Sequence, residues 1–587
     1  MSPSMFEEKF LYGINASPGI CVGRAYLVNQ VNMDIVEKYY LSSKDLPAEI
    51  KRFKAAVKKT KDELDQLIKK TPDAMQRQTD IFKSHLMMLK DKMLYDKVIE
   101  TCNDEQVNAE WAVKNVAANL EMMFHQMENP YLSARVADLT HVTDSVMRNL
   151  VGAKKVDINS IKKRVILVAD DLSPAQTSQI SLKKTQGFVT NRGGKTSHTS
   201  IIARTLGIPA VLGLDRATDL INDEDLIIVD GTAGLVIVHP EEKTLLDFSL
   251  RQEAYDNYKA TLTLNSDICA KTTDNVRLNV MGNIELPEEA DSVISHGGDG
   301  IGLYRTEFQY LNCPMFPSED DLFEKYKSVV ELMAPKPVTI RTLDINGDKA
   351  IGSMSGPDET NPFLGLRAIR YCLKNPDIFQ TQLKAILRAA AFGNVRILFP
   401  MISCYDEIIM ARALLNKAAS ILDAEGTRFN LDIDIGIMLE IPSAIIMADK
   451  LSEQVDFFSF GTNDLIQYSL AIDRGNRDVA YLYDGLQPAV IRLMKHAADV
   501  AEEKGKRMSL CGEMAADSLY TPIILGLGID ELSMNPRSIP AVKNIIRAIS
   551  MKESRQFLAE VLKQSTASDI MEMLQDTYGS LLSEKIY

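Results

Sequence analysis

The chain has 587 residues, enough for roughly two to four domains, and its 45% apolar and 25% charged content is that of a globular protein. A net charge of −14 argues against indiscriminate nucleic-acid binding, which needs a basic face, and suits basic protein partners. No apolar run reaches the length of a membrane span, and the seven scattered cysteines include no Cys-x-x-Cys pair, so neither a disulfide framework nor structural zinc is expected. The first residues lack a basic stretch followed by an apolar one, so no signal peptide is expected and the reading is cytoplasmic.

Residues 12–28 read as strand-rich. Glycine is then absent between Gly23 and Gly152, and apolar residues recur at helical spacing, first at Phe53, Val57, Leu64, Leu67 and Ile68, then at Ile81, Leu86, Leu89 and Met93. This predicts a helical bundle over 44–150. Strand signals return at 165–168, 187–190, 227–230 and 235–238. The economical arrangement is one discontinuous α/β domain, 1–43 with 151–240, into which the bundle is inserted. Residues 241–263 are charged, lack Gly and Pro, and predict a helical connector within a linker ending at 269.

From 270 to 587 short β-rich runs alternate with helical stretches: 277–281, 300–303, 338–340, 395–399, 433–439, 457–460, 507–510 and 531–534. Eight βα units suggest a TIM barrel, with an open doubly wound sheet as the alternative. In a barrel the chemistry sits where strands end. Here the ends carry Arg305-Thr306-Glu307, Arg341-Thr342-Leu343-Asp344, Glu440, Asn463-Asp464 and Cys511-Gly512-Glu513, with Arg474 shortly after the sixth. Any one of these alone reads as a surface salt bridge or helix cap; their recurrence at the same end of successive strands does not. Arginine forks match phosphate and carboxylate oxygens, and Glu440 with Asp464 offers hard oxygen ligands of the kind Mg²⁺ takes. The expected ligand is a small phosphorylated anion. Cys511 reads either as a buried inert thiol or as an acid, since a thiol is mostly protonated at neutral pH.

In the α/β domain, Gly193-Gly194-Lys195-Thr196-Ser197-His198-Thr199-Ser200 runs into Ile201-Ile202-Ala203-Arg204. The histidine falls where a helix begins, among N–H groups that favour an anion. The segment resembles the phosphohistidine motif of the phosphoenolpyruvate-utilising enzymes. From Tyr12 to near its end the chain is similar, within that group, to the enzyme I family of the bacterial sugar phosphotransferase system. Gly302 to Phe308, Asn361 to Arg367, Asp456 to Leu465 and Asp473 to Asn476 carry the rest of the resemblance.

The resemblance implies that His198 becomes phosphorylated on Nε2, that Arg305, Arg341, Arg474 and Asn463 with the main chain at Asp464 hold phosphoenolpyruvate, and that Glu440 and Asp464 bind Mg²⁺. Cys511 would protonate the departing enolate to give pyruvate. Asp344, Lys349 and Arg367 fall in matching segments as further site residues. The bundle would dock the phosphocarrier HPr, and the barrel would form a homodimer. Asn346-Gly347 and Asp484-Gly485-Leu486-Gln487-Pro488 depart from the family pattern, at positions outside these side chains. A dikinase or synthase of the same group would need an ATP-binding domain with a phosphate-cradling glycine loop, which the first 150 residues lack. A paralogue feeding a nitrogen-regulatory carrier and a non-catalytic scaffold remain alternatives.

Overall fold

The computed structural model describes residues 7–28, 38–70, 84–89, 91–126, 130–151, 163–172, 180, 184–193, 199, 203, 207–310, 316–345, 361–473, 476 and 479–583. Of the residues singled out above, Leu67 has no described side chain, and Ile81, Gly152, Gly194 to His198, Ser200 to Ile202, Arg204, Asn346-Gly347, Lys349, Arg474 and Gly475 lie outside the described residues. The chain divides into two compact units, Met1–Asp256 with Tyr587, and Asn257–Ile586. Among the described residues no helix is long and apolar enough to cross a membrane.

The first unit holds an eight-stranded sheet: β1 (Lys9–Tyr12), β2 (Ile14–Ser17), β3 (Ile20–Leu27), β4 (Val165–Ala169), β5 (Thr185–Thr190), β6 (Ala210–Leu212), β7 (Leu226–Asp230) and β8 (Leu235–Val238). Their order is β1-β8-β7-β3-β4-β5-β6-β2. Among the described residues, the long helices α1 (Leu46–Lys70), α2 (Lys92–Glu105), α3 (Ala109–Gln126) and α4 (Pro130–Val151) run between β3 and β4. β3 and β4 nevertheless pair directly and in parallel, Ala25 against Ile166 and Leu27 against Val168. The helical insertion therefore leaves the sheet and returns to the adjacent strand, with a core of its own that includes Phe53, Leu64, Leu89, Val98, Val113 and Val142.

Two readings change. Met93, counted in the apolar stripe, is 51% exposed. It stands in the first turn of α2, where its backbone N–H donates to the capping carboxylate of Asp91 at 2.9 Å, and the buried face begins at Leu94. The strands begin at Lys9 rather than Tyr12, because β1 pairs antiparallel with β8; its Phe10 and Tyr12 are exposed, so it carries no alternating pattern.

The second unit is a closed, all-parallel barrel, which excludes the open sheet. Its strands are β9 (Asn279–Ile284), β10 (Ile301–Tyr304), β11 (Val338–Arg341), β12 (Val395–Phe399), β13 (Asp434–Leu439), β14 (Phe457–Gly461), β15 (Arg507–Cys511) and β16 (Glu531–Met534), with β16 closing on β9. The amino ends of the strands are tied by charge. Arg396 Nη1 donates to both oxygens of Glu531 at 2.8 and 3.0 Å, and Arg507 pairs with Asp434. The opposite end, where strands run out into loops, is left for function.

β9 is displaced from the predicted 277–281. Arg277 makes only an isolated bridge to Lys271, while the strand continues through Gly282. The glycine is there because a Cβ would lie 2.3 Å from Val293 Cγ2 on the following helix, Ala290–Ser295. Gly282→Ala is expected to destabilise the barrel by about 1–3 kcal/mol through overpacking, and Val293→Ala in the same chain to recover most of that loss. Thermal unfolding of the single and double variants checks this; an unaffected Gly282→Ala melt would contradict it.

Candidate active site

Five strand ends place the polar side chains singled out in the barrel. At the end of β11, Arg341 extends a guanidinium with one arm on Glu307 Oε1 at 2.8 Å and the other on Asp344 Oδ2 at 3.2 Å. Glu307 follows β10 and also accepts the backbone N–H of Asp344 at 3.1 Å. Asp344 in turn receives both Nε and Nη2 of Arg367, at 2.7 and 3.0 Å, and Arg367 Nη2 reaches Asp464 Oδ2 at 2.8 Å. Tyr468 OH accepts from Arg367 Nη1 at 3.3 Å and donates to the Phe363 carbonyl at 2.6 Å, anchoring the guanidinium. The result is one chain of buried charge, Glu307–Arg341–Asp344–Arg367–Asp464, crossing the barrel mouth.

Glu440, at the end of β13, is 1% exposed. Its Oε1 accepts the backbone N–H of Met401 at 2.6 Å, and Met401 adopts φ +59° to present it, a strained conformation for a residue with a side chain. Gly461 at the end of β14 makes room for the carboxylate, since a Cβ there would lie 2.6 Å from Oε2. Burial, with the charges of Asp464 and Asp344 added, pushes Glu440 up to about 8, against the pull of Arg367 and Arg341. Burial would raise Asp344 also, but Arg341 and Arg367 outweigh it and hold that carboxyl below its ordinary value.

Cys511, the last residue of β15, is buried. Its thiol donates to the Phe460 carbonyl at 3.3 Å and lies 3.5 Å from Ser459 Oγ. Burial raises its pKa despite Ser459 and Arg341, so the sulfur keeps its proton at neutral pH. Asn463 accepts the Glu513 N–H at 3.2 Å, tying the loops after β14 and β15. Arg305 stands nearer the rim, paired with Glu285 at 2.9 Å. The Asp484-Gly485-Leu486 departure forms a turn closed by Leu486 N–H on Asp484 at 2.8 Å, which leads into the helix Pro488–Lys504.

Thus Arg305, Arg341, Glu440, Asn463, Asp464 and Cys511 come together at one barrel mouth. In the first unit, Thr199, next to His198, is buried, its hydroxyl 3.4 Å from Asp171 Oδ1 and from the Leu172 carbonyl beyond β4. Sequence reasoning gave Glu307 no role and Arg367 a secondary one. Both are central to the charge chain, and the signal for Glu307 was its place two residues after Arg305.

Among the described residues no group of three or more His, Cys, Asp or Glu side chains could hold a metal by itself. Yet Asp464 Oδ1 is buried with no hydrogen-bond partner, and Glu440 is buried beside it in charge. With all groups ionised, and Arg305 offset by its pair Glu285, the four carboxylates Glu307, Asp344, Asp464 and Glu440 face two guanidiniums, Arg341 and Arg367. The cluster is two positive charges short, the charge of one divalent ion. An open site of two carboxylates completed by water and substrate oxygens fits Mg²⁺.

The raised Glu440 has a signed consequence. Its folded value of about 8 exceeds the ordinary carboxylate value, so metal-free protein is expected to lose stability as pH rises from about 4.5 to 8, where only the folded state must hold the proton or bury the anion. Glu440→Gln should flatten that loss, melting higher than wild type at pH 8 and near it at pH 5 without metal. Parallel melting curves at both pH values would contradict the assignment.

Residues 12–135 match the PEP-utilising enzyme N-terminal family, 161–234 the PEP-utilising enzyme mobile domain, and 259–551 the PEP-utilising enzyme PEP-binding domain. The chain is 40% identical over 574 residues to proteins of Bacillus sp. (strain S) and Geobacillus stearothermophilus named phosphoenolpyruvate-protein phosphotransferase, covering 98% of this chain and 99% of each. It is also 40% identical over 569 residues to the protein of that name from Bacillus subtilis (strain 168), covering 97% of this chain and 99% of the relative.

Proposed function

From the premise that this chain belongs to the phosphoenolpyruvate-protein phosphotransferase family, enzymes of phosphoenolpyruvate-dependent phosphoryl transfer, we propose that it moves the phosphoryl group first to His198 and then to the histidine of the carrier HPr, the first step of a sugar phosphotransferase system. The observation that carries this reading is the buried charge chain through Arg341, Asp344, Arg367 and Asp464, with Glu440 and Cys511 at the same barrel mouth.

Phosphoenolpyruvate carries a carboxylate and a phosphoryl group. Arg305, Arg341 and Arg474, with Asn463, hold it and fix its orientation. Transfer through a loose transition state depends mainly on positioning and on charge placed beforehand. The bond between phosphorus and the enol oxygen breaks, its electron pair stays with the enolate, and a bond forms from phosphorus to His198 Nε2. Neutral imidazole is nucleophilic near physiological pH. The enolate carbon takes the Cys511 proton and pyruvate leaves; the thiolate then regains a proton from solvent. The family is metal-dependent. We assign Mg²⁺ to Glu440 and Asp464, where it supplies charge neutralisation for the phosphoryl oxygens.

His198 must meet both the barrel mouth and the carrier, so the connector helix Glu242–Leu264 has to permit a domain swing. The inserted bundle α1–α4 is the docking element for HPr, and the barrel unit forms the homodimer. A nitrogen-regulatory carrier in place of HPr would leave the barrel chemistry unchanged.

With Mg²⁺ and phosphoenolpyruvate labelled in the phosphoryl group, wild type is expected to take up one acid-labile label and release pyruvate in equal amount, while His198→Ala takes up none. An unlabelled wild type would refute the reading. Cys511→Ala should lower turnover of phosphoenolpyruvate by about 100-fold or more and leave transfer from the already phosphorylated protein to HPr unchanged, as quenched-flow assays of the two half-reactions would show; equal rates in the first half-reaction would remove Cys511 as the acid.

A further inference from the structure

Beneath the barrel mouth, outside the strands, Gln382 projects from the helix Pro376–Ala389 and is 1% exposed. Its amide is fully used. Oε1 accepts the Leu343 N–H at 2.9 Å, and Nε2 donates to Thr306 Oγ1 at 3.0 Å and to Tyr326 OH at 3.3 Å. The Thr306 hydroxyl in turn donates to the Arg341 carbonyl at 2.9 Å. These partners are positioned tellingly. Thr306 lies between Arg305 and Glu307, and Leu343 lies between Arg341 and Asp344. One side chain therefore holds the backbone after β11 through Leu343 and the side chain of Thr306 after β10, beside segments that each carry a substrate arginine and one carboxylate of the charge chain.

We propose that Gln382, acting through Thr306, is a positioning residue for phosphoenolpyruvate: it sets the spacing and facing of Arg305 and Arg341, and with them the fit to the carboxylate and phosphoryl groups of the substrate. The proposal rests on the reading that those two arginines bind that substrate. A purely structural amide at this depth would secure the helix to the barrel wall and stop there. Gln382 instead spends its acceptor and one of its two donor bonds on the two loops of the site, and strand ends hydrogen-bonded in this way hold an arginine more firmly than side-chain packing does. Misplacing a binding group by a fraction of its contact distance is enough to reduce affinity, so the effect should appear in substrate recognition before it appears in the chemical step.

The test measures KM and kcat for phosphoenolpyruvate with the full chain, Mg²⁺ and saturating carrier, well below the melting temperature of each variant. Gln382→Met keeps the volume and removes all three hydrogen bonds; Thr306→Val breaks the relay at its other end; Thr306→Ser restores the hydroxyl; Arg341→Lys reports on the underlying reading. The expected result is a KM raised about tenfold or more for Gln382→Met and Thr306→Val with a much smaller change in kcat, and a Thr306→Ser enzyme close to wild type. If Gln382→Met does not fold, Thr306→Val against Thr306→Ser decides. An unchanged KM in a folded variant, even with a lowered melting temperature, makes the amide structural only and overturns the proposal. If Arg341→Lys also leaves KM unchanged, the assignment of the arginines falls with it.

Discussion

Buried charge that must be mutually satisfied is the constraint on which the barrel unit turns. Glu307, Arg341, Asp344, Arg367 and Asp464 are all largely withdrawn from water and are held by contacts of 2.7–3.2 Å to one another. Removing one member of such a set strands the others, at about 3–5 kcal/mol for a buried pair. The arrangement is therefore strongly specified, and what it specifies is the orientation of two guanidiniums. Glu440 is the member left under-compensated. Its raised proton affinity and the unpartnered Asp464 oxygen are two signs of the same shortage of positive charge.

The rest of the unit serves that constraint. Parallel strands deliver their carboxyl ends to one face, so residues far apart in sequence meet without any long loop having to fold over the site. The amino ends are secured by their own ion pairs, Arg396 with Glu531 and Arg507 with Asp434, separate from the charge chain at the mouth. Helices outside the wall add a second layer, of which Gln382 is the clearest case. Some backbone strain falls in the same region: Met401, which holds Glu440, and Ala368, which follows Arg367, adopt positive φ without being glycine.

Much of this was legible in the sequence because reactive residues recur just after β-rich runs. The insertion of the helical bundle was legible for a different reason, the long absence of glycine between two sets of strand signals. The failures are physical rather than accidental. β1 is a four-residue strand with exposed aromatic side chains, and β6 has three residues, so neither could show a period. The strand predicted over 277–281 stopped short of Gly282, whose role, a close approach to Val293, depends on a residue of the following helix. Gln382 was invisible as a site residue, and Glu307 showed only its place two residues after Arg305, because their roles depend on partners 34 to 76 positions away.

The central claim is that this charge chain preorganises the site for phosphoenolpyruvate. The most direct measurement is equilibrium binding of phosphoenolpyruvate with Mg²⁺ to the full chain carrying His198→Ala, which cannot accept the phosphoryl group, compared with the same chain carrying Asp344→Asn as well. Among the described residues the Asp344 carboxylate pairs only with Arg341 and Arg367, so its effect on the ligand is transmitted through them. The account predicts an affinity lowered by about tenfold or more in the double variant. An unchanged affinity in a folded Asp344→Asn chain would show that the arginines need no such support, and would contradict it.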